Sequence, residues 1–161
     1  MKTKKVALTG LLIALALILS YLESLIPLSF AIPGIKLGLP NLVVVFALYR
    51  LRPSVAAAIS LLRVLLVAVL FGSVLSLAYS AAGAVCSFAV MLALRHSGRF
   101  GCTGVSVAGA VVHNLAQIAT AALLLETASL AWYFPVLCAT GTLAGVVIGL
   151  LAALLVKRIP E

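Results

Sequence analysis

The chain has 161 residues, of which 65% are hydrophobic and 9% charged, with a formal net charge of +8. That balance lies far outside the range of soluble domains and marks an integral membrane protein, in which ~18 apolar residues suffice for a crossing. The length allows about six spans and excludes an additional soluble catalytic domain, and the positive charge is no nucleic-acid signature, because the lysines and arginines gather at the ends of apolar runs.

The start, "MKTKK" and an apolar run, imitates a secretory signal. The run continues for about seventeen residues and further hydrophobic segments follow, so an uncleaved first span is expected from about Val6 to Ile26. Pro27, Pro33 and Pro40 then punctuate "PLSFAIPGIKLGLP", which cannot be regular helix. So apolar a loop is expected to lie against or dip into the bilayer, where protein or a cavity must satisfy its backbone.

A second helix from about Asn41 to Tyr49 is too short to span at ~1.5 Å per residue. "RLRPS" ends it, and Pro53 suits the first turn of a third span reaching about Leu70, with a tight turn at Gly72. The fourth span is expected from about Leu75 to Leu94, the fifth from about Val105 to Leu125 after the polar "RHSGRFGCTG", and the sixth from about Leu130 to Val156. The result is an all-α, six-helix membrane bundle with a short or broken second helix, read as one transmembrane domain over residues 1–161.

Six segments return both termini to one side. Lys2, Lys4, Lys5, Arg50, Arg52, Arg95, Arg99, Lys157 and Arg158 then share that side, and the opposite loops hold only Lys36 among basic residues. The positive-inside rule therefore predicts a multi-pass protein of a bacterial cytoplasmic membrane with both termini cytoplasmic. Cys86, Cys102 and Cys138 are scattered, with no CxxC pair, and are expected to be inert packing residues. No metal site or cofactor is indicated. Trp132 and Tyr133 suit an interfacial belt.

Several residues do not belong in hydrocarbon. Arg63 sits about ten residues into the third span and His113 about nine into the fifth, near the middle of a ~30 Å core. A central arginine costs roughly 2.5 to 3.5 kcal/mol on the lenient insertion scale, so a partner or cavity is expected. In "AVVHNLAQ", His113, Asn114 and Gln117 lie three and four apart on one side of the helix. The stripe reads either as glue between helices or as part of a binding site. Glu23, near the far end of the first span, is a candidate charge partner for Arg63 or Lys36. Arg63, Lys36 and His113 outnumber that one acid, so an anionic or strongly hydrogen-bonding ligand would suit the remainder.

Lys36 lies in "PGIKLGLPN", and Asn41 opens the short helix, whose positive dipole end would point into the outer half. The candidate ligand-binding set is therefore Lys36, Asn41, Arg63, His113, Asn114 and Gln117. Gly141, Gly145 and Gly149 form a doubled GxxxG, and Gly10 with Ala14 a small-xxx-small pair. Each suits either internal packing or docking of a partner membrane subunit.

With "PGIKLGLPN", "LLRVLL", "YSAAGAVCS" and "AVVHNLAQ" in this order, nearly the whole chain resembles the heptaprenyl diphosphate synthase component I family, also called Gx transporter proteins. That family is similar in size and six-helix plan to the substrate-binding S components of energy-coupling factor transporters. The resemblance implies two functions: uptake of a small compound, with a coupling protein and ATPases as partners, or a noncatalytic membrane subunit beside a soluble prenyl synthase. It also implies an amphipathic ligand such as an isoprenoid or quinone precursor, with flavin or another vitamin as the alternative.

A prenyl synthase needs clustered aspartates to hold magnesium against diphosphate. The chain has no aspartate, and Glu23, Glu126 and Glu161 lie far apart, so catalysis by this chain alone is not expected. No GxxxxGK[ST] phosphate loop occurs, so transport energy would come from partners. An apolar bundle with a few convergent polar groups fits a small-molecule site, which ranks the uptake reading first. A purely structural role in a larger membrane complex is the third reading.

Overall fold

The computed structural model describes residues 2–25 and 38–159, in which every regular element is helical. The elements are α1 (Lys2–Ser24), α2 (Asn41–Arg50), α3 (Pro53–Phe71), α4 (Val74–His96), α5 (Cys102–Leu124) and α6 (Phe134–Arg158), with a short 3₁₀ segment at Ala128–Tyr133 before α6. Five of the helices are long and apolar enough to cross a membrane, as expected of a multi-pass membrane protein, and α2 is the short one. Residues 26–37, on which the expected proline-punctuated loop and Lys36 fall, lie outside the described residues.

Local chemistry explains the boundaries. Pro53 stands in the first turn of α3, where its missing N–H costs nothing, and Ser73 caps α4 by accepting the Ser76 amide at 3.1 Å. The last helix starts at Phe134, four residues later than the apolar run suggests. Pro135 occupies its first turn, and the residues before it close as 3₁₀ turns.

Helix α2 is only ten residues long, about 15 Å, yet Val43, Val44, Val45, Ala47 and Leu48 are all buried. A helix apolar all round is stable where neighbours surround it, and α2 packs on α1, α3, α5 and α6. It reaches through about half of a ~30 Å hydrocarbon core. Its C-terminal end is tied down: Arg50 donates to the Val156 carbonyl of α6, Tyr49 donates to the Phe100 carbonyl at 3.2 Å, and the Arg95 guanidinium lies 5.5 Å from the Tyr49 ring centre. Arg50, Arg95 and the end of α6 therefore share one end of the bundle. The start of α2 stops in the interior.

The most extensive packing joins α5 to α4 on one side and α6 on the other. On α6 the doubled GxxxG faces α5. A Cβ on Gly145 would stand 2.7 Å from the Val107 Cα, and one on Gly149 2.5 Å from the Thr103 Cα. The chain's own backbone occupies this stripe, which is the internal-packing reading of Gly141, Gly145 and Gly149. Gly10 differs: nothing lies within 4 Å of the place its Cβ would take, and Ala14 is exposed beside it. Helix α1 packs mainly against α3 and turns Val6, Leu11, Leu15 and Ile18 outward.

Candidate functional site

A cavity of about 60 Å³ lies in the interior at the start of α2. Each surrounding helix brings a polar or small residue to it: Asn41 from α2, Arg63 from α3, Ser87 from α4, Ser106, His113 and Asn114 from α5, and Gly141 and Gly145 from α6. The glycines matter by absence of side chain, since they let α6 approach α5 while leaving this space open.

Arg63 is the central charge. Its Nε is enclosed and has no hydrogen-bond partner. Glu23 is close enough for its charge to act on the guanidinium. The same carboxylate accepts the backbone N–H of Gly38 through Oε1 at 2.6 Å. Gly38 has φ +72°, a left-handed conformation that glycine adopts without strain. Glu23 thus ties the chain just before α2 to the end of α1, at the rim of the cavity.

The start of α2 contributes differently from expectation. The amides of Asn41, Leu42 and Val43 already donate to the carbonyls of Gly38, Leu39 and Pro40 at 2.8, 3.2 and 3.2 Å. The helix therefore offers its dipole and the Asn41 side chain, but not those backbone donors.

On α5, Ser106 is wholly buried and its Oγ has no partner. His113 packs against Gly83 of α4, where an added Cβ would meet the ring Cε1 at 3.0 Å and Nδ1 at 3.1 Å. Asn114 is buried and donates through Nδ2 to the Leu137 carbonyl of α6 at 2.8 Å, across the gap that Gly141 leaves. Its amide therefore joins two helices and also lines the cavity. Gln117 is buried with Oε1 unpartnered but does not line the cavity. One turn beyond Asn114, it is carried about 5 Å along the helix axis.

Four of the six candidate residues, Asn41, Arg63, His113 and Asn114, thus converge on one chamber; Gln117 lies beyond it, and Lys36 is outside the described residues. Sequence reasoning passed over Ser87 and Ser106. The signal was present for Ser106, because residues 106, 110, 113 and 117 share one helical face, but a serine in an apolar run carries little weight on its own.

The chamber is lined by residues that can donate to an anion: Arg63 with a guanidinium nitrogen without a partner, Ser106 with a hydroxyl without a partner, and the side-chain amide of Asn41. Among the described residues no three His, Cys, Asp or Glu side chains gather to hold a metal ion, and Cys86, Cys102 and Cys138 are free thiols. At about 60 Å³ the chamber is far smaller than the ~300 Å³ at which pockets for whole drug-sized molecules begin.

Comparisons with curated proteins and with solved structures return no match. The family model described as heptaprenyl diphosphate synthase component I matches residues 12–155, a stretch that contains all the chamber residues named above. From the ordered motifs, the helical bundle and this match over nearly its whole length, the chain belongs to the heptaprenyl diphosphate synthase component I family.

Proposed function

We propose that the protein is a noncatalytic, membrane-embedded subunit that holds the anionic head of a small amphipathic compound of the isoprenoid or quinone-precursor type, working beside a soluble prenyl diphosphate synthase. The observation that carries this reading is that Arg63, with its Nε enclosed and without a partner, and Ser106, with its hydroxyl unpartnered, line one chamber. Hydrogen bonds to a charged group are worth about 1.5 to 3 kcal/mol, so an oxyanion relieves the cost of enclosing both groups. The family's description supplies the setting, a heptaprenyl diphosphate synthase of more than one component. The lack of aspartate leaves magnesium-diphosphate chemistry to the partner.

A second reading, a substrate-binding subunit for uptake with a coupling protein and ATPases, is favoured by one feature. The chamber lies behind the start of α2, beyond the residues that tie that helix to the arginine-bearing end of the bundle. With the termini cytoplasmic, it is approached from outside. Gly10 and Ala14, uncovered on α1, are then the surface offered to a membrane partner.

Native mass spectrometry of the purified protein tests the shared part: a copurifying anion is expected in the wild type and lost in Arg63→Ala. Retention of the same ligand by that variant refutes the chamber. Co-purification with a soluble prenyl synthase and a gain in its activity supports the first reading, and association with an ATPase pair supports the second.

A further inference from the structure

At the arginine-bearing end of the bundle a surface cleft of about 340 Å³ lies between the start of α3, at Pro53, and the end of α4, which brings Leu92, Arg95 and His96. It shares no residue with the Arg63 chamber and is several times larger. Arg95 is held there by a ring face and not by an acid. Its guanidinium carbon lies 5.5 Å from the Tyr49 ring centre, and Tyr49 is anchored through its hydroxyl to the Phe100 carbonyl. A guanidinium stacked on a ring keeps its N–H edge available to a further acceptor. The carboxylates among the described residues are Glu23 and Glu126. Glu23 lies beside the start of α2 and Glu126 follows the far end of α5, so neither reaches Arg95. Orientation in a membrane requires positive charge at one end but not its placement, and Arg52, Arg99, Lys157 and Arg158 supply that charge while exposed. Arg95 is instead half-buried beside an apolar wall. Below that wall, Leu92, Ala89 and Val85 share a face of α4 with His96, and Ala89 and Val85 are exposed within the membrane-spanning part of the helix.

We propose that this cleft is a binding site for the phosphate of an anionic membrane phospholipid, with Arg95 and His96 on its oxygens and Leu92 and Pro53 against its glycerol backbone. Basic pockets between spanning helices, close to the membrane surface, suit anionic head groups. A phosphodiester spreads a single negative charge over its unbridged oxygens, which accept from the edge of a guanidinium and from an imidazole N–H. The acyl chains then continue down the exposed face of α4 past Ala89 and Val85. Free phosphate shares the oxyanion chemistry but leaves Leu92 and Pro53 uncovered. A zwitterionic lipid brings an ammonium group to an end of the bundle with no carboxylate among the described residues to receive it. The site is independent of Arg63 and of whatever the chamber holds. Because the lipid touches both α3 and α4 only when they are packed together, its binding stabilises the folded bundle.

The test is native mass spectrometry of the full chain released from nanodiscs made of equal parts phosphatidylglycerol and phosphatidylcholine. The wild type is expected to retain phosphatidylglycerol about fivefold over phosphatidylcholine, the scale of one arginine near a membrane surface. Arg95→Gln is expected to remove that preference. His96→Glu is expected to remove it too, and because His96 is exposed this variant decides the matter should Arg95→Gln fail to fold. Arg99→Gln, which loses the same charge away from the cleft, and Arg63→Gln are expected to keep the preference within about twofold. Equal retention of the two lipids by the wild type overturns the site. A loss in Arg99→Gln as large as in the cleft variants assigns the preference to diffuse charge and overturns it as well. Phosphatidylglycerol is expected to stay bound in excess inorganic phosphate, and complete displacement assigns the cleft to free phosphate instead of lipid. Release of a co-purifying soluble subunit by His96→Glu, with no lipid preference in the wild type, assigns it to an acidic protein surface and overturns the lipid.

Discussion

Gly83 on α4 and His113 on α5 are packed so closely that a methyl group on the glycine would stand 3.0 Å from both the ring Cε1 and the histidine carbonyl oxygen. This contact holds the imidazole at the wall of the chamber. Gly83→Ala is expected to shift His113 and to cost about 1 to 3 kcal/mol, the usual range for overpacking. Thermal unfolding in nanodiscs measures the loss, and a wild-type melting curve for Gly83→Ala refutes the contact.

The glycines of α1 and α6 should behave in opposite ways. Gly149→Ala drives a methyl into the Thr103 backbone, which cannot rotate aside, and is expected to destabilise the bundle by about 1 to 3 kcal/mol. Gly10→Ala meets open space and is expected to leave stability unchanged or raise it by up to about 1 kcal/mol through helix propensity. Parallel melting curves compare them; equal destabilisation would refute the placement of α6 on α5.

Asn114 and Gly141 form a coupled pair. A Cβ on Gly141 would lie 2.7 Å from the Asn114 Nδ2, the atom that donates to Leu137. Asn114→Ala alone is expected to cost about 0.6 kcal/mol, the average for interhelical hydrogen bonds in a membrane, and Gly141→Ala more. Together they should cost less than the sum of the two, because the shortened residue 114 no longer meets the new methyl. A double-mutant cycle with no coupling energy overturns this account.

Glu23 holds the Gly38 amide, and its two roles can be separated. Glu23→Gln keeps an acceptor for that N–H and removes the charge that acts on Arg63; Glu23→Leu removes both. Amide hydrogen exchange at Gly38 is therefore expected to stay slow in the first variant and to accelerate about fivefold or more in the second, as the loss of about 1 kcal/mol of hydrogen bonding predicts. Similar exchange in both variants would show that the carboxylate is not the clasp.

Much of this arrangement was legible in the sequence because membrane constraints are severe. Hydropathy and proline positions gave six helices and a short second one, and the cost of polar groups in hydrocarbon singled out Arg63, His113 and Asn114 before any geometry was known. What the sequence hid depends on axial offset and on neighbours. Gln117 shares a face with His113 yet stands beyond the chamber, because periodicity gives direction around a helix and not depth along it. Ser87 and Ser106 gain meaning only from the charge that other helices bring beside them. The glycines of α6 could serve either a partner or the chain's own packing, and only the placement of Val107 and Thr103 distinguishes the two.

The brevity of α2 has an electrical consequence. Because its ten residues fill only about half the hydrocarbon thickness, Arg63 and the chamber stand roughly midway through the drop in membrane voltage. One elementary charge carried across the full drop is worth about 2.3 kcal/mol per 100 mV, so an anion reaching this depth does about 1 kcal/mol of work with or against the field. On the proposed reading, occupancy of the chamber by an anion would change about fivefold per 100 mV, so that an energised membrane itself would help determine how full the chamber is.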